Sequence, residues 1–148
     1  MNTIKDFDKE KNKKKLFKFR KEILQWINEM EFINDERTFL EHLLGSHFLA
    51  LSTPQLYTPT KKIIKELKTV EKTGNEIFVL IKIHKKRVAA QIENMGFMEN
   101  LDIKIEHNKI RIEFENYVHN FKEVKKNIFD MIKEIMKKNK LKLLLSKQ

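Results

Sequence analysis

Apolar side chains recur along most of this chain in steps of three and four residues. In its second half Ile103, Ile110, Phe114, Tyr117, Phe121, Val124, Ile128, Met131 and Ile135 make one stripe, with His107 filling the one gap. That spacing places every member on one face of a helix, the seam along which it packs in a bundle. An earlier stripe runs through Leu16, Phe19, Ile23, Trp26, Met30, Ile33, Leu40 and Leu44, broadened by Ile27, Leu43 and Leu51. Between them lie Ile63, Leu67, Val70, Gly74, Ile77, Ile81, His84, Val88, Ile92 and Met95, so a glycine and a histidine sit in the middle seam.

The stripes predict helices at about 15–51, 59–95 and 100–145 in a single helical domain covering 1–148. Residues 1–14 hold only Ile4 and Phe7 as apolar anchors besides Met1, too few to offset the entropy of ordering, and read as a disordered basic arm. Punctuation fits the scheme. Thr58 before Pro59 suits an N-cap and a first helical residue, Asn94-Met-Gly96 a helix end with Gly96 just past it, and Asn100 the cap of the last helix. Gly74 in mid-helix costs about 1 kcal/mol against alanine; we read the helix as continuous through it, with the glycine permitting close approach. The fold expected is all-α, an antiparallel three-helix coiled-coil-like bundle. The rival is an α+β fold with a hairpin near 101–114, where Leu101-Asp-Ile-Lys-Ile-Glu and Lys109-Ile-Arg-Ile-Glu-Phe alternate apolar and polar residues. His107-Asn108 is a poor two-residue turn, and the helical stripe crosses the segment without losing phase.

Composition narrows the functions. Three glycines and two prolines in 148 residues leave little for tight turns, and the absence of cysteine excludes disulfides, thiolate nucleophiles and cysteine-ligated metal centres. The longest apolar run, Ile77-Phe-Val-Leu-Ile81, is too short to span a bilayer and the first residues are charged, so the expected location is cytoplasmic. The net charge of +10 is concentrated at the ends: residues 1–21 carry +6, residues 133–148 carry +5, and the stretch between carries −1. Of 31 basic residues only Arg20, Arg37, Arg87 and Arg111 are arginine, a lysine enrichment that coding bias toward Lys, Ile and Asn also produces.

Trp26-x-x-Glu29-x-x-Phe32 with Glu36-x-x-Phe39-Leu40, Ile83-His84, Glu106-His107 with Phe114 seven residues on, and Phe121-x-x-x-Lys125-x-x-Ile128-Phe129 form a set. Over about 16–138 the chain resembles small helical proteins of flavobacteria and their relatives, to which no activity is assigned. The resemblance implies an all-helical fold.

Candidate chemistry is sparse. In an antiparallel bundle His84 and His107 fall roughly 7 Å apart in height, with Glu29 and Trp26 at a similar level. A carboxylate and two imidazoles from three helices can hold a transition-metal ion, making Glu29, His84 and His107 the candidate metal ligands. The commoner outcome is a buried polar network in which each histidine pairs with a glutamate and fixes register. Glu115 and His119 are expected to face outward, and Glu36 to join an interhelical ion pair. The eleven phenylalanines read mostly as core, and no phosphate-cradling glycine loop is present. Lys61, Lys62, Lys65, Lys137, Lys138 and Lys140 are the candidate anion-binding residues, for nucleic acid or an anionic membrane surface. The function expected is that of a non-catalytic interaction or scaffold protein, acting on a protein partner or by self-association.

Overall fold

Four helices make up most of the residues described in a computed structural model, which covers residues 3–94 and 100–147, with side chains from Asp8 onward. They are α1 (Thr3–Ser46), α2 (Phe48–Leu51), α3 (Tyr57–Glu93) and α4 (Leu101–Ser146). No strand occurs among the described residues, so the fold is all-α and α4 runs through the segment that the hairpin alternative would have folded as strands. Its start is capped: Ile103 N donates to Asn100 Oδ1 at 3.1 Å, satisfying one of the backbone N–H groups that a helix leaves open at its first turn. The helix end expected at Gly96, and the stripe position Met95, lie outside the described residues.

Three boundaries differ from those expected. First, α1 begins at Thr3, where a disordered arm was expected over 1–14. Lysine and glutamate are good helix formers, and extending a helix already nucleated by packed residues adds one hydrogen bond per residue fixed. Second, α1 stops at Ser46 rather than continuing to Leu51. Ser46 Oγ donates to the Leu43 carbonyl at 2.9 Å, His47 N reaches the Leu44 carbonyl at 3.2 Å, and the short α2 follows. Third, α3 starts at Tyr57, before the expected Thr58 cap. The Thr53 carbonyl accepts from Tyr57 N and that of Leu56 from Thr60 N, each at 2.9 Å, so the turn is closed before Pro59, whose missing N–H falls where a helix has no partner for one.

The chain divides into two compact units, and α1, α3 and α4 each give a segment to both. Unit 1 is Met1–Phe32 with Thr73–Asn116; unit 2 is Ile33–Lys72 with Tyr117–Gln148. In unit 1 the buried side chains are Leu16, Phe19, Ile23, Trp26 and Met30 of α1, Ile77, Ile81, His84 and Val88 of α3, and Ile103, His107, Ile110 and Phe114 of α4. Gly74 is buried within the unbroken α3. In unit 2 they are Ile33, Leu40 and Leu44 of α1, Leu51 of α2, Thr60, Ile63, Leu67 and Val70 of α3, and Tyr117, Phe121, Val124, Ile128, Ile132 and Ile135 of α4.

The expected seams recur here, except that Ile92, Met131 and the broadening positions Ile27 and Leu43 are half-buried. Ile132 takes the core position beside Met131; the Thr60 hydroxyl donates to Met131 Sδ at 3.7 Å. The phenylalanines are not mostly core. Phe19, Phe114 and Phe121 are buried, but Phe17, Phe32, Phe39 and Phe129 are exposed, because they stand one residue off the stripes, and so is Phe48 in the short α2.

Candidate functional site

The centre of unit 1 holds two fully buried histidines, one from α3 and one from α4. His84 falls on the α3 seam and His107 on the α4 seam, so helix periodicity alone turns both rings inward. His107 is stacked on Phe19 with ring centroids 3.9 Å apart and on Trp26 at 4.7 Å, and Trp26 in turn lies 5.9 Å from Phe114. Aromatic walls fix the ring plane and exclude water.

The ring nitrogens are joined end to end. Glu22 Oε2 lies 2.6 Å from His107 Nε2, His107 Nδ1 lies 2.8 Å from His84 Nε2, and His84 Nδ1 lies 2.6 Å from Glu106 Oε1. Arg87 Nη1 donates to the second oxygen, Oε2, of Glu106. As carboxylates, Glu22 and Glu106 only accept, so His107 Nε2–H and His84 Nδ1–H are the donors at the two ends. The middle contact faces one ring nitrogen with another and is a hydrogen bond only if one of them carries a hydrogen. Three N–H hydrogens on two imidazoles make one of the pair an imidazolium. A fully bonded chain therefore holds one extra proton, able to sit on either ring by crossing the 2.8 Å contact. With two carboxylates its charge is −1, and Arg87 brings the assembly to neutrality.

Charging either ring is opposed. Burial is the largest influence on both histidines and pushes both below the ordinary value of 6.5; the hydrogen bonds from Glu106 and Glu22 act upward, while for His107 the charge of His84 adds to the downward push. Doubly protonated, the pair would also set N–H against N–H in the middle. Protonation of the pair thus lies below the ordinary histidine range, and the two rings titrate as one coupled unit.

The expected ligand set of Glu29, His84 and His107 is not assembled. The two histidines meet, but Glu29 is exposed and Glu22, seven residues earlier, takes its place on His107. The carboxylates bind the outer ring nitrogens and do not converge with the inner ones on a common point. Among the described residues no group of three or more His, Asp or Glu side chains is arranged to hold a metal ion. Helix height read from the sequence sets Glu29, two turns after Glu22, beside histidines five residues apart; in the structure the two rings meet at 2.8 Å and Glu22 reaches His107. Glu106, next to His107 in sequence, and Arg87, three residues after His84, carried the signal that would have completed the network: a charged group within one turn of a seam histidine on the same helix.

The other candidates are dispersed. In unit 2 Glu36 makes an interhelical ion pair with Lys125 at 2.7 Å, and Arg37 bonds Glu41, Asn34 and Glu71. His119 and Glu115 are exposed. Lys61, Lys62, Lys65, Lys137, Lys138 and Lys140 are exposed too; Lys61 sits over the Tyr57 ring and Lys137 lies 3.7 Å from Glu134. No buried side-chain N or O atom among the described residues lacks a hydrogen-bond partner. No helix among them is long and apolar enough to cross a membrane.

Between α3 and α4, unit 1 has a groove of about 370 Å³ lined by Leu80, Ile83, Ile105 and Ile110 together with charged side chains of both signs, Arg87 and Glu113 among them. Leu80, Ile83 and Ile105 are 41%, 45% and 58% exposed. Glu106 lines the same groove, so the buried chain reaches the surface there.

No protein-family model, curated protein or solved structure matches this chain.

Proposed function

We propose that this chain is a non-catalytic helical interaction module, an antiparallel coiled-coil-like bundle whose α3–α4 groove receives an apolar helix face from a protein partner or from a second copy. Pairing of His84 with Glu106 and of Gln91 with Asn100 fits an antiparallel course of α3 against α4 within unit 1. The observation that carries the reading is the groove itself. Leu80 and Ile83 on α3 and Ile105 on α4 present their apolar surface to solvent beside charged groups of both signs, the composition of a docking strip for an amphipathic helix. The buried polar chain fits a structural part in this reading: its outer ring nitrogens meet two carboxylates and its inner ones face one another, with both rings fully buried.

Sedimentation equilibrium of the whole chain and of its Ile83→Lys and Ile105→Lys variants tests the proposal, together with cross-linking from a photoreactive side chain placed at Leu80. Association with itself or with a cross-linked protein, lost in both lysine variants, is expected. A chain that stays monomeric at every concentration and forms no cross-link in cell extract overturns it.

A further inference from the structure

We propose that the last turns of α4, residues 136–146, dock on an anionic phospholipid surface, with leucines in the headgroup layer and lysines on the phosphates. This goes beyond the interaction reading and uses a different face. The core seam of α4 ends at Ile135; the next positions on that face, four, seven and eleven residues on, are Asn139, Lys142 and Ser146, all exposed. The helix nevertheless continues, and every residue from Met136 to Lys147 is exposed.

Leu141, Leu144 and Leu145 stand at i, i+3 and i+4, which stacks them on one side of the helix, turned away from the seam. They are 58%, 56% and 60% exposed. By the same 100° rotation per residue Lys138 and Lys140 flank the leucine strip on either side, Lys142 lies beyond Lys138, and Lys137 one turn earlier. No Asp or Glu follows Glu134. A strip of leucine bordered by lysine, without a compensating acid, matches a surface that is negative and apolar just beneath: the lysine stems lie along the acyl boundary while their ammonium groups stay at the phosphates. A nucleic acid would use the lysines and leave the leucines in water, and the stretch has no arginine for bidentate phosphate contact.

The test is co-sedimentation of the whole chain in 0.15 M salt with vesicles of phosphatidylcholine containing 30% phosphatidylglycerol, and with pure phosphatidylcholine vesicles. Binding to the anionic vesicles is expected. The triple variant Leu141→Gln, Leu144→Gln and Leu145→Gln keeps good helix formers outside the core, so its circular dichroism should match the parent; its vesicle affinity should fall on the order of a hundredfold. Reversal of Lys138, Lys140 and Lys142 to glutamate should remove the preference for anionic over neutral vesicles. Absence of binding to the anionic vesicles overturns the proposal, as does binding that the leucine variant retains in full. Binding to duplex DNA or RNA at this salt, unchanged by the leucine substitutions and stronger than to vesicles, also overturns it and assigns the lysines to nucleic acid.

Discussion

Glu22, His107, His84 and Glu106 behave as one acid–base unit because each hydrogen bond fixes the proton count of the next. Removing one member leaves a buried ring nitrogen without a partner, and that penalty exceeds the worth of the lost contact. His107→Leu strands the Glu22 carboxylate and the inner nitrogen of His84, and should cost about 3 kcal/mol in urea unfolding at pH 7. His84→Leu should cost a similar amount. The double variant frees both glutamates, already partly exposed at 25% and 24%, to turn to water, so its cost should fall short of the sum by about 1–3 kcal/mol. Additive single effects would show that the rings are independent. Acid brings out the same coupling. Both folded-state values lie below 6.5, so as pH falls below 6.5 the unfolded chain takes up protons that the folded pair resists. The stability they contribute is therefore present above 6.5 and is lost on acidification, by about 1.4 kcal/mol per pH unit for each proton of difference. The urea midpoint should drop between pH 7 and pH 5, and the His84→Leu/His107→Leu variant should flatten that slope while leaving the exposed His42 and His119 in place.

Helix type and seam were legible in the sequence because burial on α1, α3 and α4 follows a single periodicity that local spacing reports directly. Ile103, His107, Ile110 and Phe114 kept one phase with Phe121 and Ile128, which is why the alternation of Leu101 to Phe114 folded as helix. What spacing does not carry is axial register between helices. That depends on connection length and on side-chain fit, so spacing points to Glu29 where Glu22 reaches His107. Nor does a stripe show where helix propagation stops, and α1 continues back to Thr3. The start of α4 is different, since a side chain determines it. Asn100→Ala removes the acceptor of Ile103 N and should cost about 1 kcal/mol, read as a melting temperature lower by roughly 2–4 °C. Asn100→Asp keeps the acceptor and should restore most of the loss.

The two units differ in what their centres contain, and that difference should appear when the chain is acidified. Unit 1 encloses the histidine pair, whereas the buried set of unit 2 is apolar except for Thr60 and the hydroxyl of Tyr117. Burial raises the Tyr117 value above its ordinary 10, so this group stays neutral throughout the acid range and adds no dependence there. Glu36 and Lys125 form the interhelical ion pair of unit 2, but both are partly exposed, and such pairs contribute little to stability. Between pH 7 and pH 5 the proton-linked loss should therefore fall mainly on unit 1. Amide hydrogen exchange measured by mass spectrometry, corrected for intrinsic rates at each pH, resolves this segment by segment. Protection should decline first over residues 77–88 and 103–114, and persist longer over 63–70 and 121–132. A uniform decline across all four segments would show that the units open only together; preferential loss from 121–132 would place the acid-sensitive group outside the histidine chain.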